Sequence, residues 1–165
     1  MKFDEFSTKS QSWLKSFLSQ PLKYLDLIKR REGLVLKWYK DSLGKVTGGY
    51  GHLQLPGEDG PITLARAETW LEKDSKAAYD AAQGQVSQLP FCTPELFDAL
   101  VSVNFQLGTA WTKKFPKTWN LLKSGRFDEA AWEAEDSLWA KQTPVRVRDL
   151  QRALWRASTV GDKVV

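Results

Sequence analysis

One boundary constrains this chain more than any other, the loop PGEDGP at residues 56–61. Ahead of it, from residue 34, residue types follow strand and turn rules. Past it, apolar residues recur at helical spacing to the end. LVLKWYK (34–40) reads as a strand, DSLG (41–44) as a turn, and KVTGGYGHLQL (45–55) as a glycine-rich strand region. Thr63 then caps a helix with Leu64, Ala67, Leu71, Ala78 and Ala82 along one side. At about 20 residues it is long enough to bridge two lobes. Thr93-Pro94 and Thr143-Pro144 repeat one signature, a capping threonine followed by proline at the first helical position. The first of these helices ends at Gly108, and Gly125 separates KTWNLLKS from FDEAAWEAEDSLWA. Upstream, Leu22, Leu25 and Ile28 give a helix its buried face, with Pro21 in its first turn and Gly33 as a left-handed cap. Glu32 thus falls at a helix C-terminus.

The pattern predicts an α+β, mostly helical chain. A small β-containing N-terminal lobe spans about 31–62 and a larger helical lobe about 63–165, joined by the long helix, with residues up to 30 contributing to the second. Residues 1–20 stand apart. Phe3, Phe6, Trp13, Leu14, Phe17 and Leu18 form an apolar stripe there, read as an amphipathic helix docking on the body or a partner, or resting weakly on a membrane surface. Eight Trp, eight Phe and four Tyr supply ample core for the 165 residues.

The net charge of +4 suits an acidic partner: nucleic acid, an anionic membrane or a polyanionic cell-wall polymer. It equally suits plain solubility. Cys92 is the only cysteine and His52 the only histidine, so an intrachain disulfide and a thiolate cage are excluded, and neither metal catalysis nor a cofactor is expected. No apolar run of about 18 residues offers a transmembrane helix. The N-terminus lacks the apolar region of a secretory signal, so synthesis in the cytoplasm with assisted release is the expectation.

REGLVLKWYKDSLGKVTGGYGH (31–52) gathers the chemistry. Glycoside hydrolysis needs two carboxyls in unlike surroundings, one to donate a proton and one to handle water or the developing cation. Glu32 faces the negative end of a helix dipole, which disfavours its charge, while Arg30, Arg31 and Arg146 act in the opposite sense. Asp41 opens a turn, where a carboxylate is ordinarily solvated. Each also has a plain reading, Asp41 as a turn cap and Glu32 as a surface charge. In an extended segment Thr47, Gly49, Gly51 and Leu53 would share one face, a hydroxyl beside two missing side chains, and His52 would face the other way as a structural histidine of the small lobe.

EGLVLKWYKDSLGKVTGGYGH resembles the active-site region of phage-type lysozymes, closest to the T-even branch, which carry Glu, eight residues, Asp or Cys, five residues, Thr, and a Gly-rich segment ending in GH. ALVSVNFQLGTAW, and GRFDEAAWEAEDSLWAKQTPVRVRDL after it, resemble that family's C-terminal lobe, so the likeness covers roughly residues 22–157 in order. The resemblance implies a bilobed lysozyme domain over 21–165 and an N-acetylmuramidase of bacterial peptidoglycan, cleaving the β-1,4 bond between N-acetylmuramic acid and N-acetylglucosamine. It implies Glu32 as general acid, with Asp41 and Thr47 holding and activating water. Inversion follows, with a carboxyl gap of ~6.5–9.5 Å. It also implies substrate contacts at Leu53, Phe105 and Thr118, a supporting Arg146 paired with Glu32, a monomer, and release through a holin-like pore. Gly48 replaces the family's apolar residue after the threonine, which would loosen the segment orienting Thr47. Glu133 stands where the relative has asparagine.

Three alternatives bear on other classes of function. A catalytically silent glycan-binding module has no reason to keep all three side chains. A lytic transglycosylase needs only the Glu. Nucleic-acid binding would use the basic helix RVRDLQRALWR, but that segment contains Asp149 and matches no reader motif. Leu150, Leu154 and Trp155 read as its core face. A lysis enzyme, a virion-borne lysozyme and a bacteriocin-like toxin are all compatible with the sequence.

Overall fold

The computed structural model describes residues 23–164, so the stripe at residues 3–18 and the helix start at Pro21 lie outside the described residues. Helix α1 (Lys23–Glu32) buries Ile28 completely. It stops where Gly33, at φ 72°, returns its N–H to the Lys29 carbonyl at 3.0 Å. Three antiparallel strands follow in the order β1 (Val35–Lys40), β2 (Val46–Gly49), β3 (His52–Leu53).

The glycine-rich segment is a hairpin, not one extended strand. Gly49 and Gly51 take φ of 61° and 72°, so the chain reverses between them. Thr47 lies opposite Leu53 and Gly48 opposite His52. Thr47 and Leu53 do share a face, but by cross-strand pairing; Gly51 sits in the turn.

Gly48 does not loosen the sheet. Val35 pairs with Gly49 and Tyr39 with Thr47, so Leu36, Lys37 and Trp38 stand opposite Gly48 alone. A Cβ there would overlap Ile62 Cδ1 and come within 3.0 Å of Trp38 Cε3. Trp38 and Ile62 take the volume that a larger side chain at position 48 would fill. Gly48→Ala is expected to destabilise the fold by about 1–2 kcal/mol through overpacking, read as a lower urea midpoint at unchanged slope.

Helix α2 (Leu64–Val86) runs about 34 Å from the sheet into the helical body. Thr63 Oγ1 accepts the Arg66 N–H at 3.2 Å. Ala67, Leu71, Ala78 and Ala82 are buried as their spacing predicts, whereas Leu64 is 50% exposed because it lies on the first turn, ahead of the packed face.

The body comprises α3 (Pro94–Leu107), α4 (Trp111–Lys114), α5 (Pro116–Lys123), α6 (Phe127–Glu135), α7 (Leu138–Gln142) and α8 (Pro144–Val164). Leu96, Leu100, Leu122, Ala130, Leu150 and Leu154 are fully buried in its core. Asn104, in the NFQ run, joins α3 to α2: its amide gives to Gln85 Oε1 at 2.8 Å and takes from Gln85 Nε2 at 2.9 Å. Trp111 Nε1 completes the cluster on Gln85 Oε1 at 3.2 Å. Gln106 accepts from Trp139 Nε1 at 3.2 Å.

Three expectations change in the helical body. FDEAAWEAEDSLWA is two helices, because the first closes at Asp136 and Ser137 caps the next by accepting from Ala140 N. Thr93 caps α3 as its signature predicts, accepting from Leu96 N at 3.1 Å, but Thr143 donates backward to the Trp139 carbonyl at 3.4 Å. Trp155 is 39% exposed and packs edge-on against exposed Trp132, so it does not belong to the core.

Candidate active site

Glu32 reaches the site because Gly33 ends α1 one residue beyond it. Arg146 of α8 is buried and donates through Nη2 to Glu32 Oε1; its Nη1 donates to the Ser102 carbonyl at 3.1 Å and its hydroxyl at 3.5 Å. Burial pushes the Arg146 guanidinium below its ordinary range, and the Glu32 charge opposes that fall. The other oxygen, Oε2, lies over the β2–β3 turn, where a Cβ on Gly51 would sit 2.7 Å from it. Glycine at 51 is thus required twice, by its φ and by the carboxyl above it.

Asp41 and Thr47 are hinged on one residue, Lys45. Asp41 Oδ1 accepts the N–H groups of Leu43 at 2.9 Å and Lys45 at 2.8 Å, and the Asp41 N–H returns to the Lys45 carbonyl at 2.9 Å. Buried Thr47 donates its hydroxyl to that same carbonyl at 3.0 Å. Asp41 is therefore a turn cap, yet Oδ2 has no hydrogen-bond partner among the described residues, and the Thr47 oxygen keeps its lone pairs.

Leu53, across the ladder from Thr47, is 46% exposed. Phe105 is half-buried against the helical core, and Thr118 on α5 is 3% exposed, so neither offers a ligand the area that Leu53 does. Glu133 is half-buried on α6.

His52 supports the sheet from its other face. Nδ1 meets Asp74 Oδ2 and Nε2 meets Glu58 Oε2, both at 2.7 Å, and the ring stacks on Trp70 at 4.5 Å, with Arg66 over the far ring at 4.7 Å. A carboxylate only accepts, so both bonds form fully only with the imidazolium. Burial opposes that charge, but Asp74 and Glu58 prevail and the His52 pKa is raised. Glu58 is lowered, chiefly by the Leu55 N–H it accepts at 3.0 Å, then by His52.

The signs define a window. The His52 contribution is complete below its unfolded pKa of about 6.5 and is lost as pH rises through the higher folded value. The Glu58 contribution is complete above the ordinary carboxylate range and is lost as pH falls through its lower folded value. The melting-temperature advantage of the parent over His52→Gln is therefore expected to peak near pH ~5.5 and shrink steadily toward pH 9.

Sequence reasoning missed Ser102, Gly51 as the floor beneath Glu32, and the Asp74–Glu58 clamp. Only Gly51 carried a local signal, as one of three glycines in a strand-like run. Three of the five charges of RVRDLQRALWR are engaged by other elements of the chain: Arg146 on Glu32, Asp149 on Arg31, and, at the surface, Arg156 on Glu95 at 3.0 Å. No described helix is long and apolar enough to cross a membrane.

The sequence model of the phage lysozyme family matches residues 29–154. A probable T4-type lysozyme 2 of Dictyostelium discoideum is 31% identical over 148 residues, covering 73% of this chain and 86% of that one. An endolysin of Acyrthosiphon pisum secondary endosymbiont phage 1 is 33% identical, covering 82% and 97%. The pre-baseplate central spike protein Gp5 of Enterobacteria phage T4 is 28% identical, the match taking in 25% of its length. With the helical body, the three-stranded sheet and the matched span in agreement, the chain belongs to the phage lysozyme family and is a glycoside hydrolase of lysozyme type acting on peptidoglycan.

Proposed function

We propose that the chain is an inverting N-acetylmuramidase, cleaving the β-1,4 bond between N-acetylmuramic acid and N-acetylglucosamine, with Glu32 as general acid and Asp41 and Thr47 handling the water. The observation that carries this reading is the unlike surroundings of the two carboxyls. Arg146 takes Glu32 Oε1, which leaves Oε2, over Gly51, to carry the proton to the glycosidic oxygen. Once the proton has gone, the guanidinium stabilises the carboxylate left behind. Asp41, fixed in its turn through Oδ1, accepts a water proton on Oδ2 while the Thr47 oxygen takes the second hydrogen bond. Leu53 lies on the same strand face and meets the sugar ring. Phe105 and Thr118 back the far wall through the core they pack in.

Residues 21–165 act as one catalytic domain, a monomer, with sheet lobe about 31–62 and helical lobe about 63–165, and residues 1–20 as an appended segment. Its role is lysis of the bacterial wall from the inside after release by a holin-like pore. Digestion of purified peptidoglycan with mass analysis of the fragments tests the reaction. Reducing N-acetylmuramic ends support hydrolysis. Anhydro-muramic ends would make the enzyme a transglycosylase and remove the water-handling role of Asp41 and Thr47. Binding without release would leave a silent glycan-binding module.

A further inference from the structure

Arg31 and Glu32 leave α1 side by side and are met by Asp149 and Arg146, one turn apart on α8. The pairing is crossed in sign. Arg146 holds Glu32, and Asp149 holds Arg31 with both oxygens, Arg31 Nε to Oδ2 at 2.6 Å and Nη2 to Oδ1 at 2.8 Å. The Asp149 side chain is 12% exposed, and two parallel N–H···O bonds are the strong geometry for a guanidinium.

Arg30 of α1, Glu95 and Asp98 of α3 and Arg152 of α8 line one pocket with Arg31 and Asp149, and Glu95 is engaged by Arg156 at 3.0 Å. Lys29 turns to Glu68 at 3.3 Å above the Tyr50 ring, and Arg30 and Arg148 are exposed. Ser102 of α3 offers only neutral oxygens, and the hairpin offers Gly51. Arg31 and Asp149 act on Arg146 in opposite senses, so their salt bridge lies within electrostatic range of the guanidinium that holds Glu32. An acid catalyst must keep its proton at the working pH, and a second free guanidinium beside it would favour losing that proton.

We propose that Asp149 is a positioning residue for the acid: it engages the Arg31 guanidinium, so that the Glu32 carboxyl answers to Arg146 alone. The proposal rests on the reading of Glu32 as the general acid. Asp149 touches no substrate and acts only through its neighbour.

The test is the pH dependence of kcat on purified peptidoglycan for the parent, Asp149→Asn, Arg31→Gln and the double variant. Both single variants break the same salt bridge, so a purely structural role predicts the same effect from each. Compensation predicts opposite effects. Asp149→Asn leaves Arg31 without its bidentate carboxylate, and its alkaline limb moves down by about one pH unit, with a rate about tenfold lower above that limb. Arg31→Gln leaves a free anion, and its limb moves up. The double variant, neutral at both positions, returns to the parental limb. Limbs that stay in place in both single variants, whatever happens to melting temperature, would overturn the proposal and leave a structural staple. Glu32→Gln is run alongside; parental activity in that variant would instead remove the acid assignment on which the proposal stands.

Discussion

Glu32→Gln is expected to lose about 10³-fold in peptidoglycan turnover with its far-ultraviolet circular dichroism unchanged. Glutamine has the shape of the acid and keeps an oxygen for the Arg146 donor, so the contact that spans α1 and α8 survives in neutral form. Proton donation does not survive. In the proposed mechanism the guanidinium stabilises the carboxylate left after proton transfer; with glutamine none forms, so both contributions fail together. A turbidimetric assay of wall lysis reads the loss directly. Retention of more than about a tenth of parental activity would be too much for the loss of a general acid.

The second large effect is expected at Gly51. Alanine there must hold φ near 72°, a left-handed conformation costing a non-glycine residue about 1–2 kcal/mol, and its Cβ would sit 2.7 Å from Glu32 Oε2. A side-chain oxygen usually moves aside easily, but this carboxyl is tied by Arg146 through its other oxygen. Gly51→Ala is therefore expected to lower kcat by about 10²-fold, the order of loss produced by displacing a reacting group by an ångström, with KM changed far less. Gly49→Ala provides the comparison. It too carries a positive φ of 61°, but its Cβ would meet Ala67 and Trp70, not the carboxyl, so it should cost stability without the same loss in kcat.

How much of the fold is legible in the sequence depends on the range of the interaction. Gly33 closing α1, the Asp41 turn, the Thr63 and Thr93 caps and the buried face of α2 are set within a few residues, and their types announce them. The hairpin at Gly49–Gly51 reads as extended strand because glycine permits both conformations, and only pairing with β3 selects one. Thr143 carries the same Thr-Pro signature as Thr93, yet its hydroxyl finds the carbonyl of the preceding short helix. Trp155 has the spacing of a core residue, and no local rule says that its partner, Trp132, is itself at the surface.

The site divides along the same line. Spacing and resemblance name Glu32, Asp41 and Thr47; Asp41 and Thr47 are held by their own turn, but what surrounds Glu32 is contributed across long separations. Asp149 lies 118 residues from Arg31 and Arg146 114 from Glu32. Read locally, Asp149 is merely an acid interrupting a basic helix. Glu58 and Asp74 read as loop and helix-surface charges until the fold brings them to the two nitrogens of His52. The apparent weakness at Gly48 comes from counting a missing side chain without the two larger ones, Trp38 and Ile62, that occupy its space.

In the proposed mechanism Glu32 protonates the leaving oxygen while Asp41 and Thr47 direct water to the opposite face of the sugar. The stereochemistry of the product distinguishes this from any double displacement. Proton NMR of a soluble glycan oligomer, recorded within the first turnovers and before mutarotation, reports the configuration of the new N-acetylmuramic reducing end. Attack by water opposite the leaving group yields the α anomer first, appearing at the β bond's expense and equilibrating later. The β anomer first would mean retention through a second protein nucleophile or an equivalent double displacement, and would contradict the water-handling roles of Asp41 and Thr47.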